Sequence, residues 1–195
     1  MPKIVSEEER KLTKEAICEK VVQLIKKKGI KAVIVDDIIH AVGIGKGSFY
    51  TYYPSREACL FEVIKRYEQD VFLRMEEIMT SVNSDKNKAV FLLKEIYTSE
   101  DSLITSINQT DVEALLRKLP TEYRKMENEK FENNFQKALR LMNLDEKRME
   151  VVALLTDCLS YAASNQSYSK NSTEIALDIL VNTIADIITK GNPNE

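Results

Sequence analysis

Apolar residues recur at helical spacing along almost the whole of this chain. Between Ser6 and Lys28, Ile17, Val21, Leu24 and Ile25 form one stripe. Lys26, Lys27 and Lys28 fill the last turn, where the helix dipole favours cations, and Gly29 supplies the left-handed stop. "KAVIV" has strand propensity but is short and isolated, so it reads as an extended connection packed against helices. Asp36 and Asp37 suit a helix start, and Gly43 ends that helix after about two turns. "IGKGSFYTYY" is a second short helix, stopped by Pro54, and Ser55 caps the next one.

From Ser55 to about Ser81, the residues Phe61, Ile64, Val71, Phe72, Met75, Ile78 and Met79 hold a stripe and predict a long connecting helix. "NSDKN" breaks it. Further helices are expected over 86–98, 101–108, 111–118, 121–142, 145–168 and 173–190, separated by "SED", "NQTD", "LPTE", "NLDE" and "SKNST". The last two differ from the rest. "MEVVALLTDCLSYAA" and "IALDILVNTIADII" are apolar around most of their circumference, so each is buried on two sides. With no sheet expected, the second side is assigned to another subunit; the alternative is burial in a single-chain core. The expected class is all-α: residues 1–54 form a three-helix helix-turn-helix domain and 55–195 a helical body, with 55–81 as the connecting helix.

The unit at the amino end has a clear physical logic. Gly43 allows a sharp turn between two short helices packed at a steep angle. Ile38, Val42, Ile44 and Phe49 are spaced to fill the small core between them. The second helix then presents Lys46, Ser48, Tyr50, Thr51 and Tyr52 outward. The stretch Gly43–Glu57 holds three of the five glycines and three of the eight tyrosines, an unusual mixture for a core helix.

Charge sharpens this picture. The net charge of −3 disfavours nucleic acid, but its distribution does not. Residues 1–67 contain 13 Lys and Arg against 9 Asp and Glu, whereas the remainder contains 15 against 22. The basic part is the part with the helix-turn-helix.

These residues resemble a known family. "KEAICEKVVQLIKKKGIKAVIVDDIIHAVGIGKGSFYTYYPSREACLFEVI" is similar to the DNA-binding domain of the TetR family of transcriptional regulators, most strongly from Asp37 to Leu60. The resemblance implies a homodimer with two heads on double-stranded DNA, reading a near-palindromic operator. It also implies a small-molecule pocket in the C-terminal body, dimerisation through the last two helices (145–168 and 173–190), and release from DNA when the effector binds. Ile39 departs from the pattern where a small alanine is usual, Gly45 where a serine often caps, Ile34 where a hydroxyl often meets phosphate, and Cys59 where leucine is usual.

Carried onto this chain, the candidate DNA-binding residues are Lys46, Gly47, Ser48, Tyr50, Thr51, Tyr52 and Arg56. Lys46 is placed to reach a guanine edge or a phosphate, and Gly47 lets the backbone approach the duplex. Ser48 contacts base, phosphate or its own backbone. Tyr50 is the expected phosphate anchor, with Thr51 and Tyr52 toward the groove or its wall. Tyr53 is expected in the core. Arg56 lies near the DNA backbone or pairs with neighbouring carboxylates. Candidate effector contacts are Phe91, Tyr97, Leu115, Tyr123, Met126, Phe131, Phe135 and Tyr161, with Asn134, Gln136 and Asn165 as polar partners; residues of these kinds are more often plain core than ligand contacts. The acidic body favours a cationic or neutral apolar effector over a polyanion.

Other chemistry has little footing. His40 is the lone histidine, expected on an exposed helix face, and no C-x-x-C accompanies it, so no metal site and no cofactor are expected. "GIGKGS" lacks the spacing of a phosphate-binding loop. No nucleophile–base pair marks an enzyme. Cys18, Cys59 and Cys158 are odd in number and far apart, so they read as small helix residues and not as a disulfide framework. Triplets of the N-x-[ST] type at Asn108, Asn165 and Asn171 read as chance matches. With no apolar leader or membrane-length run, the expected location is cytoplasmic, without a membrane partner. A DNA-binding adaptor that senses no ligand is the alternative function.

Overall fold

The computed structural model describes residues 6–80, 86–99, 102–103, 106–107, 109–142, 144–165 and 167–190. Among them the regular elements are helical. They are α1 (Glu7–Lys28), α2 (Val35–Val42), α3 (Lys46–Tyr52), α4 (Arg56–Thr80), α5 (Lys86–Thr98), α6 (Gln109–Leu116), α7 (Thr121–Met142), α8 (Glu146–Ser164) and α9 (Lys170–Lys190), with one 3₁₀ turn at Ile30–Ala32. By its internal contacts the chain divides into two units, 1–67 with 109–119, and 68–108 with 120–195.

The first unit starts with a helix fixed at both ends. Ser6 Oγ accepts the Glu9 N–H at 3.1 Å while Glu9 accepts the Ser6 N–H at 2.9 Å. That reciprocal pair satisfies two donors that the first turn leaves open. Gly29, at φ 76°, closes the helix by donating its N–H to the Ile25 carbonyl at 2.8 Å. Ile17, Val21 and Ile25 turn inward with no exposed surface, joining Val33, Ile38, Phe49, Tyr53, Cys59 and Leu60 in one core. Val42 and Ile44, expected in that core, are half-buried. The stretch read as an extended connection starts as the 3₁₀ turn and is extended only at Val33 and Ile34.

Helix α6 belongs to this unit and not, as the sequence boundary at residue 54 implied, to the C-terminal body. Its Leu115 is buried, as is Leu119 beyond it. Asp111 pairs with Lys31 at 2.5 Å, and Lys118 reaches Glu57 at 3.9 Å. Ile30, Lys31, Arg56, Asp111, Ala114, Leu115 and Lys118 line a small open pocket of about 270 Å³.

The second unit is built around α5, α8 and α9. Leu93, Val152, Leu159, Val181, Ile184, Ala185 and Ile188 meet in its core. Two ion pairs, Lys86–Asp186 at 2.8 Å and Lys94–Asp178 at 2.7 Å, fix α5 antiparallel to α9. Of the helix expected over 101–108, the described residues 102–103 and 106–107 carry turns, and the rest lie outside them. Buried Ser102 donates its hydroxyl to the Ile96 carbonyl. A serine that bonds backbone locally competes with helix formation, and this one ties the segment to the end of α5.

Candidate nucleic-acid interface

Helices α2 and α3 are joined by a turn of three residues, Gly43, Ile44 and Gly45. Gly43 sits at φ 77°, ψ 34°, the left-handed conformation that L side chains avoid. Its N–H and that of Ile44 both reach the Ile39 carbonyl, at 2.9 and 3.1 Å. Gly45 caps α3 with no side chain, leaving the first N–H groups of α3 without a side-chain acceptor. At the start of α2, Asp37 accepts the Ile34 N–H at 2.8 Å and also pairs with Lys28. Lys28 first, then that N–H, hold its carboxyl below the ordinary aspartate value.

Helix α3 is anchored by a single apolar face. Phe49 has no exposed surface and packs against Tyr53 with ring centroids 5.8 Å apart. Tyr53, in the core as expected, donates its hydroxyl to Glu62 at 3.2 Å and lies 3.8 Å from Cys18 Sγ. Burial pushes the Tyr53 phenol, and likewise the Cys59 thiol, far above their ordinary values. Lys14 completes the cluster, 5.1 Å over the Tyr53 ring and 3.2 Å from Glu62.

The remaining face of α3 is open. Lys46, Gly47, Ser48, Tyr50 and Thr51 are exposed, and Tyr52 is half-buried. A Cβ added at Gly47 would meet nothing within 4 Å, so α3 has open space there. Tyr50 packs edge-on against Phe49, centroids 5.3 Å apart, which directs a half-exposed phenol outward on a fixed base. Thr51 donates its hydroxyl to the Ser48 carbonyl at 2.7 Å. The Lys46 ammonium lies 3.1 Å from the Asp36 carboxylate, a pairing that sequence reading did not anticipate because ten residues and a turn separate the two.

Arg56 is placed differently from the other candidates. Its guanidinium donates to the Val33 carbonyl, to the Ile30 carbonyl at 2.8 Å and to the Lys31 carbonyl at 3.1 Å, and pairs with Glu57 at 3.0 Å. The fork is therefore turned into the protein, tying the 3₁₀ turn ahead of α2 to the start of α4. Of the two expected roles, the pairing with a neighbouring carboxylate is the one present, at Glu57, and the carbonyls left open by an irregular turn are strong acceptors for the same planar cation. His40, exposed as expected, engages the Asp36 carbonyl through Nδ1 at 2.5 Å.

The candidate effector contacts are divided between the two units. Leu115 is in the unit of the helix-turn-helix, the others in the second unit. Phe91, Met126 and Tyr161 are 62–67% exposed, Tyr97 and Tyr123 are half-buried, and the side chains of Phe131 and Phe135 lie outside the described residues. Asn165, at the end of α8, accepts the Ser167 N–H at 2.8 Å and so caps a turn. Asn134 and Gln136 are half-buried. Tyr161 lies in an outward row on α8 with Val151, Leu154 and Cys158, and α9 carries Ile175 and Ile179, all exposed. Among the described residues no group of three or more His, Cys, Asp and Glu is gathered to hold a metal, and no helix is long and apolar enough to cross a membrane.

A basic three-helix head with one open, polar helix defines a helix-turn-helix domain. Residues 17–63 match the family model described as bacterial regulatory proteins, tetR family. This stretch of the chain is similar to the DNA-binding domain of that family. It is 34% identical over 70 residues to the uncharacterized HTH-type transcriptional regulator YuxN of Bacillus subtilis (strain 168), covering 36% of this chain and 24% of that one. It is 28% identical over 113 residues to the HTH-type transcriptional repressor KstR2 of Rhodococcus jostii (strain RHA1), covering 53% of this chain and 55% of that one. The match thus spans about a quarter and about half of these relatives' lengths. The fold resembles that of the fatty acid degradation regulator FadR from Bacillus halodurans, with TM-score 0.60, 18% identity, and 93% and 96% of the two chains covered.

Proposed function

We propose that this protein is a ligand-responsive, DNA-binding transcriptional regulator that works as a homodimer, repressing from a near-palindromic operator until a small molecule releases it. The observation that carries the reading is the open face of α3, Lys46 to Tyr52, held on the buried Phe49–Tyr53 base. Donors on such a short helix match phosphate oxygens and base edges in a major groove. The assignment of Lys46, Gly47, Ser48, Tyr50, Thr51 and Tyr52 to DNA is part of this proposal. Arg56 supports the head without touching the duplex.

The second copy is supported by α8 and α9. Each turns one apolar row into its own unit and leaves another facing outward. An exposed row that includes Leu154 at 63% and Ile179 at 61% is costly in water, and a two-fold pairing of these helices covers it. A two-fold dimer sets its α3 helices in successive major grooves, about 34–36 Å apart. The effector acts by its differential affinity for the DNA-competent and DNA-incompetent states and by nothing else.

The test is a mobility-shift assay on DNA upstream of the protein's own gene, at low salt, followed by sequencing of genomic fragments captured by the purified chain. Retardation that weakens steeply with salt is expected, and Lys46→Ala combined with Tyr50→Ala abolishes it. Binding that survives the double substitution contradicts the assignment of α3. Calorimetry against apolar small molecules separates a sensor, which binds at least one, from a DNA-binding adaptor.

A further inference from the structure

Lys46 is the sole charged residue of α3, yet its ammonium is held 3.1 Å from Asp36 on the neighbouring helix. Both side chains are more than half exposed, 59% and 55%. The start of α2 is capped by Asp37, which also takes Lys28, and His40 takes the Asp36 carbonyl and not its carboxylate. The Asp36 carboxylate is thus left facing α3.

We propose that Asp36 is a specificity-determining counter-charge: it holds Lys46 back from indiscriminate phosphate binding while leaving it able to contact a base edge. This rests on the DNA-binding reading of α3. The physical reason is ion exchange. A lysine that docks on phosphate releases a condensed cation from DNA, and that release drives sequence-independent binding. The Lys46–Asp36 pair carries no net charge, so bringing it to a phosphate neutralises little of the DNA charge, and the net release is small. An ammonium has three donors, so Lys46 can stay on Asp36 and still donate to a guanine edge. Phosphate-only binding therefore gains little from Lys46, and binding at the correct bases keeps its contribution. Asp36 acts through Lys46 and is a positioning residue.

The test uses the full chain and fluorescence anisotropy across a salt series, with two duplexes: one of scrambled sequence and one captured from genomic DNA by the unsubstituted protein. Asp36→Asn is expected to bind the scrambled duplex about threefold to tenfold more tightly near physiological salt. Its salt slope is expected to steepen by about 0.9 per protomer, because each Lys46 now neutralises a phosphate outright. The captured duplex changes less, so the ratio between the two falls. In a Lys46→Ala background the same substitution is expected to leave the slope unchanged, and Asp36→Glu to restore wild-type behaviour. Circular dichroism checks that each variant is folded. An unchanged slope in Asp36→Asn, or an equal gain with Lys46 absent, overturns the proposal. If the unsubstituted chain binds neither duplex, the DNA-binding reading fails first and this one with it.

Discussion

Arg56 distinguishes a structural clamp from a phosphate contact, and the two roles give opposite results. Arg56→Met keeps the length of the side chain and removes every donor. The Val33, Ile30 and Lys31 carbonyls then lose this donor, and Glu57 still has Lys118 at 3.9 Å. The guanidinium side chain is 19% exposed, so water replaces these bonds only in part. With about 1 kcal/mol net for each of three bonds to carbonyls, the expected loss is about 3 kcal/mol, which is a large share of the stability of a small domain. Urea unfolding followed by circular dichroism measures it as a lower midpoint at constant slope. Arg56→Lys recovers little, since a single ammonium does not span carbonyls that a planar fork reaches together. DNA binding by the folded fraction, measured cold, keeps its salt slope. If instead the midpoint is unchanged and the slope falls by about 0.9 per protomer, Arg56 is a phosphate ligand and the clamp argument is refuted.

Gly43→Ala places an L side chain at φ 77° with nothing within 4 Å of its Cβ, so the expected cost is backbone strain alone, about 1–2 kcal/mol, read by thermal melting; Gly43→Asn costs less. Leu154→Glu puts a charge in the exposed row of α8 and is expected to raise the dimer dissociation constant at least about a hundredfold in sedimentation analysis, with the monomer still folded. In the same variant Cys158 should react faster with a thiol reagent, because the proposed pairing would cover it in the parent, whereas buried Cys59 should react only on unfolding. The carboxyls of Asp37 and Asp186 are held low, by Lys28 with the Ile34 N–H and by Lys86 with Lys190 respectively. A depressed carboxyl contributes stability that is present above the unfolded value and lost as pH falls through the folded one, so melting temperature should drop below about pH 4, less so in Asp37→Asn.

Much of the fold was written in local pattern. The stripe Ile17–Val21–Ile25, the acid-rich start and lysine-rich end of α1, the paired glycines and the stop at Pro54 each act within a few residues, and the helices they foretold are present within one to three residues of the expected ends. The two-sided apolarity of α8 and α9 was also legible, because a helix apolar all round needs two neighbours wherever it lies. The helix expected over 101–108 misled because its apolar positions suit a turn equally well once Ser102 bonds the Ile96 carbonyl.

What the chain's own order of residues determined was therefore every feature decided by near neighbours: the helices, the left-handed turn at Gly43, the polar face of α3. Only the tertiary structure decided partners distant along the chain. Arg56 turned inward because open carbonyls 23–26 residues earlier came within its reach. Leu115 joined the head because an apolar stripe records that it is buried and not which body buries it. Lys46 met Asp36 because the turn between two helices brought their charges together, and Coulomb attraction acts through space and takes no account of sequence separation.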